Sequence, residues 1–297
     1  MARVSICLNT FTRPGVFDCL RSLANQELDG ISIEIVVADN DVLESGRPFV
    51  ERFKSESLVP LSYECVPQRN IAIARNNTVA RASGEWLLFI DDDEIAPPNW
   101  VVTMLKCARR FEADIVLGHA LATYPESTPA WLRKADPLSK RWGPTGKQLR
   151  FASTCNVLVR SDLLNPPSSA FNPLFGRTGG EDAELFHRLS RAGAKIVVCA
   201  DAPVTEAIPL NRINLTYLKA RFLTVGQGYA AITNRYRSSR QRGLFLISAV
   251  TRMIAFGAAY YCLQPFSRSH ALRMRLRYWN NTGKIQQTLS GTHWAAY

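Results

Sequence analysis

Trp86-Leu87-Leu88-Phe89-Ile90 runs without interruption into Asp91-Asp92-Asp93. An unbroken apolar run with no polar alternation fits a strand covered on both faces, and such strands belong to parallel sheets flanked by helices. Three successive carboxylates at the end of that strand repel one another. They are tolerated there only if a cation or a set of donors neutralises them. Hard divalent ions such as Mg²⁺ or Mn²⁺ take oxygen ligands and often share their shell with phosphate oxygens. A metal–diphosphate site is one reading of the stretch, and an acidic turn in solvent is the other.

Working outward, residues 4–8 and 33–38 are further short apolar runs rich in β-branched residues. Between them Phe17, Leu20, Leu23 and Ala24 recur at helical spacing behind Pro14, a good first-turn residue. Residues 71–82 form a second helical segment. This alternation predicts an α/β fold with a mostly parallel sheet and helices on both faces. In such sheets ligands bind beyond the carboxyl ends of the strands. Further along, residues 124–150 read as a loop rich in Pro, Lys and Trp, 156–159 as a strand, and 165–173 as a Pro/Ser/Asn-rich loop. Gly179-Gly180 leads into a helical pattern through Leu185, Phe186 and Leu189, and a strand at 196–199 ends the body.

Charge divides the chain in two. Residues 1–206 carry 23 Lys/Arg and 25 Asp/Glu, whereas residues 207–297 carry 13 Lys/Arg and no acid. The expected domains are therefore 1–206, the catalytic body, and 207–297, a basic helical region. A wholly basic tail points to an anionic partner, either phospholipid head groups or nucleic acid, with a plain solvated tail as the alternative. Residues 215–232 look helical, 235–242 are basic, and 244–264 are apolar save for Arg252. That length matches a membrane span, but a central Arg opposes one. An amphipathic helix lying in the interface, a single span and a buried core helix all fit. Tyr260, Tyr261, Tyr278 and Trp279 would anchor the interfacial form. No recognised nucleic-acid motif is present, so an anionic membrane surface is the partner expected and nucleic acid is not. The seven cysteines are dispersed without CxxC pairs, and the chain enters a strand-like run at once with no secretory signal. Both point to a reducing, cytosolic setting for the body.

Polar residues at strand ends mark the chemistry. Asp39, after the 33–38 run, could accept a bond from a nucleobase imide or could close an Asx turn. Arg69 and Arg75, in Gln68-Arg69-Asn70-Ile71-Ala72-Ile73-Ala74-Arg75-Asn76, could reach a base or diphosphate oxygens, or could be surface arginines. Glu181 and Asp182, behind Gly179-Gly180, could cap a helix. Equally, one could serve as a general base that takes a proton from an attacking hydroxyl.

Taken in order, these segments resemble glycosyltransferase family 2, whose fold is GT-A. The resemblance rests on the strand ending at Asp39, Arg69 with Ala74-Arg75-Asn76, Phe89-Ile90-Asp91-Asp92-Asp93 and Gly180-Glu181-Asp182. The opening Val4-Ser5-Ile6-Cys7-Leu8-Asn9-Thr10-Phe11-Thr12-Arg13-Pro14 is similar to that family's first strand and nucleotide loop. Residues 206–212, with Arg221 and Gly226, resemble the subset that builds bacterial exopolysaccharides, succinoglycan glucosyltransferases among them. The resemblance implies a donor site of Thr10, Phe11, Arg13, Asp39, Arg69, Arg75, Asp91 and Asp92. It implies Mn²⁺ or Mg²⁺ on Asp93 and Asp91, Asp182 as base, and Glu181 on the acceptor side. It further implies an inverting transfer from a UDP-sugar, UDP-glucose by default, to a lipid-linked saccharide at the cytoplasmic face of the inner membrane. The protein would be bound peripherally, or through a single pass. Relatives often carry a histidine after the last body strand, where this chain has Glu206. The Gln-x-x-Arg-Trp motif of processive members is absent, which implies single-sugar transfer. GDP- or dTDP-linked donors and a non-catalytic nucleotide- or membrane-binding protein are the alternatives.

Overall fold

The computed structural model describes residues 2–176 and 179–291. These residues form two compact units. One comprises the residues up to Leu121 together with Lys140–Glu206; the other comprises Ala122–Ser139 and the residues from Ala207 on.

In the first unit, the strands are β1 (Arg3–Thr10), β2 (Ser32–Asp39), β3 (Leu61–Cys65), β4 (Trp86–Asp91), β5 (Glu94–Ile95), β6 (Ile115–Thr123, its last residues in the other unit), β7 (Gln148–Leu149), β8 (Asn156–Arg160) and β9 (Ile196–Ala207). They join one mixed sheet in the order β3-β2-β1-β4-β8-β6-β9-β5, with β7 also on β9. The β3-β2-β1-β4 half is parallel, and β8 turns antiparallel to β4. The helices are α1 (Val16–Ala24), α2 (Arg47–Glu56), α3 (Ile71–Arg81), α4 (Trp100–Arg110) and α6 (Glu181–Arg191). This is the α/β sheet expected from the strand–helix alternation.

The decisive stretch behaves as its composition requires. Leu87, Leu88, Phe89 and Ile90 are all at most 2 % exposed. Leu88 and Ile90 enter a core with Ile6, Leu8 and the apolar faces of α1, α2 and α4. Leu87 and Phe89 enter a second core on the opposite face, with Cys7, Val79 of α3 and Leu185 and Phe186 of α6. Each such side chain contributes about 1.5–3 kcal/mol of transfer free energy. A strand wet on one face could not hold four of them in succession.

Asn156 fastens the antiparallel half. It is fully buried, donates from Nδ2 to the carbonyls of His119 and Ala202 at 2.9 Å each, and accepts from Trp100 Nε1 at 2.8 Å. A Cβ on Gly118 would collide with that amide, so the glycine is required by close approach.

Residues 124–150, expected to be a loop, contain α5 (Ala130–Ala135) and β7. Each is too short to impose a period on the sequence. The second unit gathers α5 with α7 (Leu215–Asn234), α8 (Ser239–Leu263) and α9 (Arg268–Ser290). Its core joins Leu132, Leu138, Leu218, Leu272, Leu276 and Trp279. Arg273 donates to the carbonyls of Lys134 and Ala135 at 2.7 and 3.1 Å, closing the end of α5. α7 and α9 approach at Gly226 and Gly283, where added Cβ atoms would strike the Asn280 and Leu223 carbonyls. α8 starts with a capping box of Ser238 and Gln241. Only Ala249 on α8 is buried, so this helix is not the core helix that its apolar composition allowed. Among the described residues it is the one helix long and apolar enough to cross a membrane, with mean hydropathy 1.5.

Candidate active site

Parallel pairing aligns the carboxyl ends of three neighbouring strands. Thr10 lies opposite Asp39, and Asn9 opposite Asp91. Beyond this edge opens a cavity of about 450 Å³, lined by Asn9, Thr10, Phe11, Thr12, Arg13, Ile71, Arg75, Asp91 and Asp92. Six residues expected to hold the donor thus share one wall.

Asp92 is the anchor of the first loop. It is 4 % exposed; its Oδ2 accepts from Thr10 Oγ1 at 2.8 Å and from the Phe11 amide at 3.4 Å, and its Oδ1 accepts from Arg13 at 3.0 Å. Burial pushes its carboxyl up to about 6, and Arg13 and Thr10 offset only part of that. The same Arg13 nitrogen bridges to Asp93. Burial works against the Arg13 charge, but Asp92, Asp93 and Asp91 outweigh it and raise its pKa. Asp91 is the most open of the three, its side chain 36 % exposed.

Arg75 links this edge to α6. Its guanidinium pairs with Glu181 and lies 3.7 Å from Asp91 and 5.8 Å from the centre of the Phe171 ring. Asn70 caps α3 through Oδ1, which accepts from the Ala72 and Ile73 amides, while its Nδ2 donates to the Pro173 carbonyl at 2.9 Å. Asn76 donates to the Phe171 carbonyl and accepts from its amide, both at 2.8 Å. One face of α3 therefore carries the segment leading to α6. Gly180 precedes α6 with φ of 86°, in the left-handed region that favours glycine. Asp182 Oδ2 accepts from Ser153 Oγ at 2.9 Å and from the Thr154 amide at 3.4 Å.

Three expected residues are placed differently from the rest. Asp39 is fully buried and off the cavity wall. Its Oδ1 takes the Asp41 amide at 3.0 Å, and its Oδ2 takes the Gly46 amide and the Tyr63 hydroxyl at 2.8 Å each. The carboxylate closes the 40–46 turn, the Asx-type alternative read from sequence. Glu181, 4 % exposed, faces Arg75 rather than an open acceptor side. Arg69 lies outside the cavity wall, with its guanidinium 5.3 Å from the Phe11 ring centre.

Sequence reading quoted Asn76 only within its motif, without a role, and passed over Ser153 and Lys140. The first two act through side-chain hydrogen bonds that leave no periodic trace. Lys140 sits in the supposed loop, where its charge responds to Cys155, Asp91, Glu94 and Glu206; together these outweigh burial and raise its pKa. Glu94 and Glu206 face each other across β5 and β9, and burial raises the Glu94 carboxyl well above its ordinary value. Glu206 thus sits among charged neighbours.

The residues fit a divalent ion. Asp91 and Asp93 offer hard oxygens, and their side chains are the two more exposed of the triad. Among the described residues no three His, Cys, Asp or Glu side chains stand close enough to hold an ion by themselves. Ligand and water oxygens would complete the shell.

The model of glycosyl transferase family 2 matches residues 5–165, which is more than half of the chain. The chain belongs to glycosyl transferase family 2. Succinoglycan biosynthesis protein ExoM of Rhizobium meliloti (strain 1021) is 31 % identical over 92 % of this chain and 88 % of its own length. Two solved structures share the fold. Mannosyltransferase PcManGT from Pyrobaculum calidifontis, in complex with GDP-Man and Mn²⁺, has TM-score 0.61 at 14 % identity, covering 96 % of this chain and 87 % of that one. S. aureus TarS in complex with UDP has TM-score 0.53 at 14 % identity, covering 98 % and 93 %. The fold and the family expected from the motifs are thus established, and the sheet edge described above is the carboxyl edge of a family 2 fold.

Proposed function

We propose that this family 2 enzyme transfers one sugar from a UDP-sugar, UDP-glucose by default, to a lipid-linked saccharide in exopolysaccharide or cell-surface glycan synthesis. Transfer inverts the anomeric centre and is non-processive. The observation that carries the reading is the polar wall of the cavity. Arg75 and Asn9 both line it, and Arg75 Nε and Asn9 Oδ1 are buried with no partner among the described residues. Buried polar atoms are costly to leave unpaired. A nucleoside diphosphate offers phosphate oxygens to the first and hydroxyl or imide donors to the second.

Arg13 and Arg75 meet the diphosphate charge as guanidinium forks. A divalent ion on Asp91 and Asp93 supplies Lewis-acid stabilisation of the departing diphosphate when bound. Asp182 accepts the proton of the acceptor hydroxyl while that oxygen bonds to the anomeric carbon and the sugar–diphosphate bond breaks. Ser153 and the Thr154 amide hold the Asp182 carboxylate in one orientation for this step. Glu181 acts through Arg75. The relation to ExoM, a succinoglycan biosynthesis protein, supports the exopolysaccharide setting. The exposed apolar α8 and the acid-free tail support a peripheral seat on the cytoplasmic side of the inner membrane.

A GDP-sugar is the second reading. The burial of Asp39 favours it, because that carboxylate holds three donors of its own fold and lies off the cavity wall, away from a uracil bound there. PcManGT was solved with GDP-Man. Calorimetric titration with UDP and GDP, with Mn²⁺ and then EDTA, separates the two. Metal-dependent UDP binding that is lost in Asp93→Ala is the expected result. Binding of GDP alone would replace the donor, and binding of neither would end the reading.

A further inference from the structure

The helical unit concentrates positive charge around a crevice of its own. Residues 207–297 contain no Asp or Glu, so its cations have no carboxylate within their segment. Four converge where α8 meets α9. Cavities of about 310 and 360 Å³ share Arg252, Asn281 and Lys284 in their walls; Arg277 lines the first and Arg237 the second. Aromatic rings hold three of these cations. Arg237 lies 4.0 Å from the Phe245 ring centre, Lys284 5.1 Å from Tyr229, and Arg277 5.4 Å from Phe256. Such rings orient a cation without neutralising it. Among the described residues no ion pair joins any of the four to a carboxylate.

Two further features point to a ligand. Asn281 lines both cavities, is 4 % exposed, and has an Oδ1 with no partner. Burial lowers the pKa of the Lys284 ammonium, and Arg252 and Arg237 push the same way. Like charges gathered without a counter-ion strain the folded state, and a bound anion relieves them. Apolar side chains line the crevice as well: Phe222 and Phe256 in the first cavity, Leu244, Phe245 and Ala249 in the second. α8, which supplies most of them, buries only Ala249 and is apolar enough to cross a membrane. Cations set among apolar walls are the chemistry that receives a lipid head group above its chains.

We propose that the crevice of Arg237, Arg252, Arg277 and Lys284 binds the phosphate or diphosphate of a lipid head group, with α8 seated at the membrane surface. This deepens the membrane reading given above and rests on it.

The test is co-sedimentation of the full chain with vesicles of phosphatidylcholine, with and without phosphatidic acid. Arg252→Gln/Lys284→Gln is compared with Arg240→Gln/Arg268→Gln, an equal loss of charge at exposed positions outside the crevice. The crevice pair is expected to weaken binding to phosphatidic acid vesicles roughly tenfold more than the control pair, about 1.4 kcal/mol. Inorganic pyrophosphate is expected to compete with vesicles for the wild type and not for the crevice pair. Equal losses in the two pairs would overturn the site in favour of a diffuse basic face. So would vesicle binding unchanged by the crevice pair with loss of single-stranded oligonucleotide binding. Pyrophosphate binding without any vesicle binding would overturn the lipid source. UDP binding is read on the same samples. A wild type that binds vesicles through the crevice but binds no UDP would sink the donor assignment and leave this one standing.

Discussion

Replacing Arg75 with Ala removes the cation that joins α3 to α6 and to Asp91 at the sheet edge. The side chains of Arg75 and Glu181 are 10 % and 5 % exposed, so the variant leaves a carboxylate buried without its partner. Breaking a buried pair on one side costs about 3–5 kcal/mol. With a urea slope of about 2 kcal/mol per molar, the midpoint should fall by roughly 1.5–2.5 M. The ring contact with Phe171 and the approach to Asp91 are lost as well. Arg75→Met with Glu181→Leu removes both charges and keeps volume. It should recover most of the midpoint, because an apolar pair often matches a buried ion pair. UDP binding should stay lost in both variants, since neither restores a guanidinium to the cavity wall. Urea unfolding followed by tryptophan fluorescence, with calorimetric UDP titration, reads both quantities. A single variant that loses less than about 1 kcal/mol, or a double variant that binds UDP normally, would refute the reasoning.

Other perturbations follow the same logic. The Asp92 carboxyl is raised from 3.8 to about 6, so its contribution is full below pH 3.8 and lost as pH climbs through 6. That loss, about 3 kcal/mol at most, should vanish from the stability–pH curve of Asp92→Asn. Asn156→Leu strands two carbonyls and the Trp100 indole, and at about 1–3 kcal/mol per orphaned group should lower the urea midpoint as far as Arg75→Ala does. Gly226→Ala drives a methyl into the Asn280 carbonyl and should destabilise the helical unit by about 1–3 kcal/mol, seen as an earlier thermal transition with UDP binding unchanged.

The unbroken apolar run at 86–90 carried the fold, because burial on both faces of a sheet leaves no room for alternation. The strand edge carried most of the cavity wall for the same reason: a parallel register sets Thr10 level with Asp39 and Asn9 level with Asp91 once the strands are recognised. What a strand end does next was not legible. Asp39 and Asp91 are equivalent in pattern, yet the 40–46 turn folds back over one and leaves the other open. Glu181 and Asp182 are neighbours on one turn of α6, and only tertiary packing sends the first toward Arg75 and the second toward Ser153. β6 was also missed, since Gly118 and His119 interrupt its apolar run for the sake of the Asn156 amide and carbonyl contacts. Lys140 lay in a stretch with no period at all.

The way α3 grips the segment before α6 bears on how such enzymes diversify. Asn76 holds Phe171 by its amide and carbonyl, and Asn70 holds Pro173 by its carbonyl. Every one of these attachments is made to main-chain atoms, which any amino acid supplies. Exposed side chains of the segment, such as Leu174, can therefore change without loosening the mount. A lineage can retune what this segment touches while inheriting its anchorage intact, so variation here changes preference long before it endangers folding.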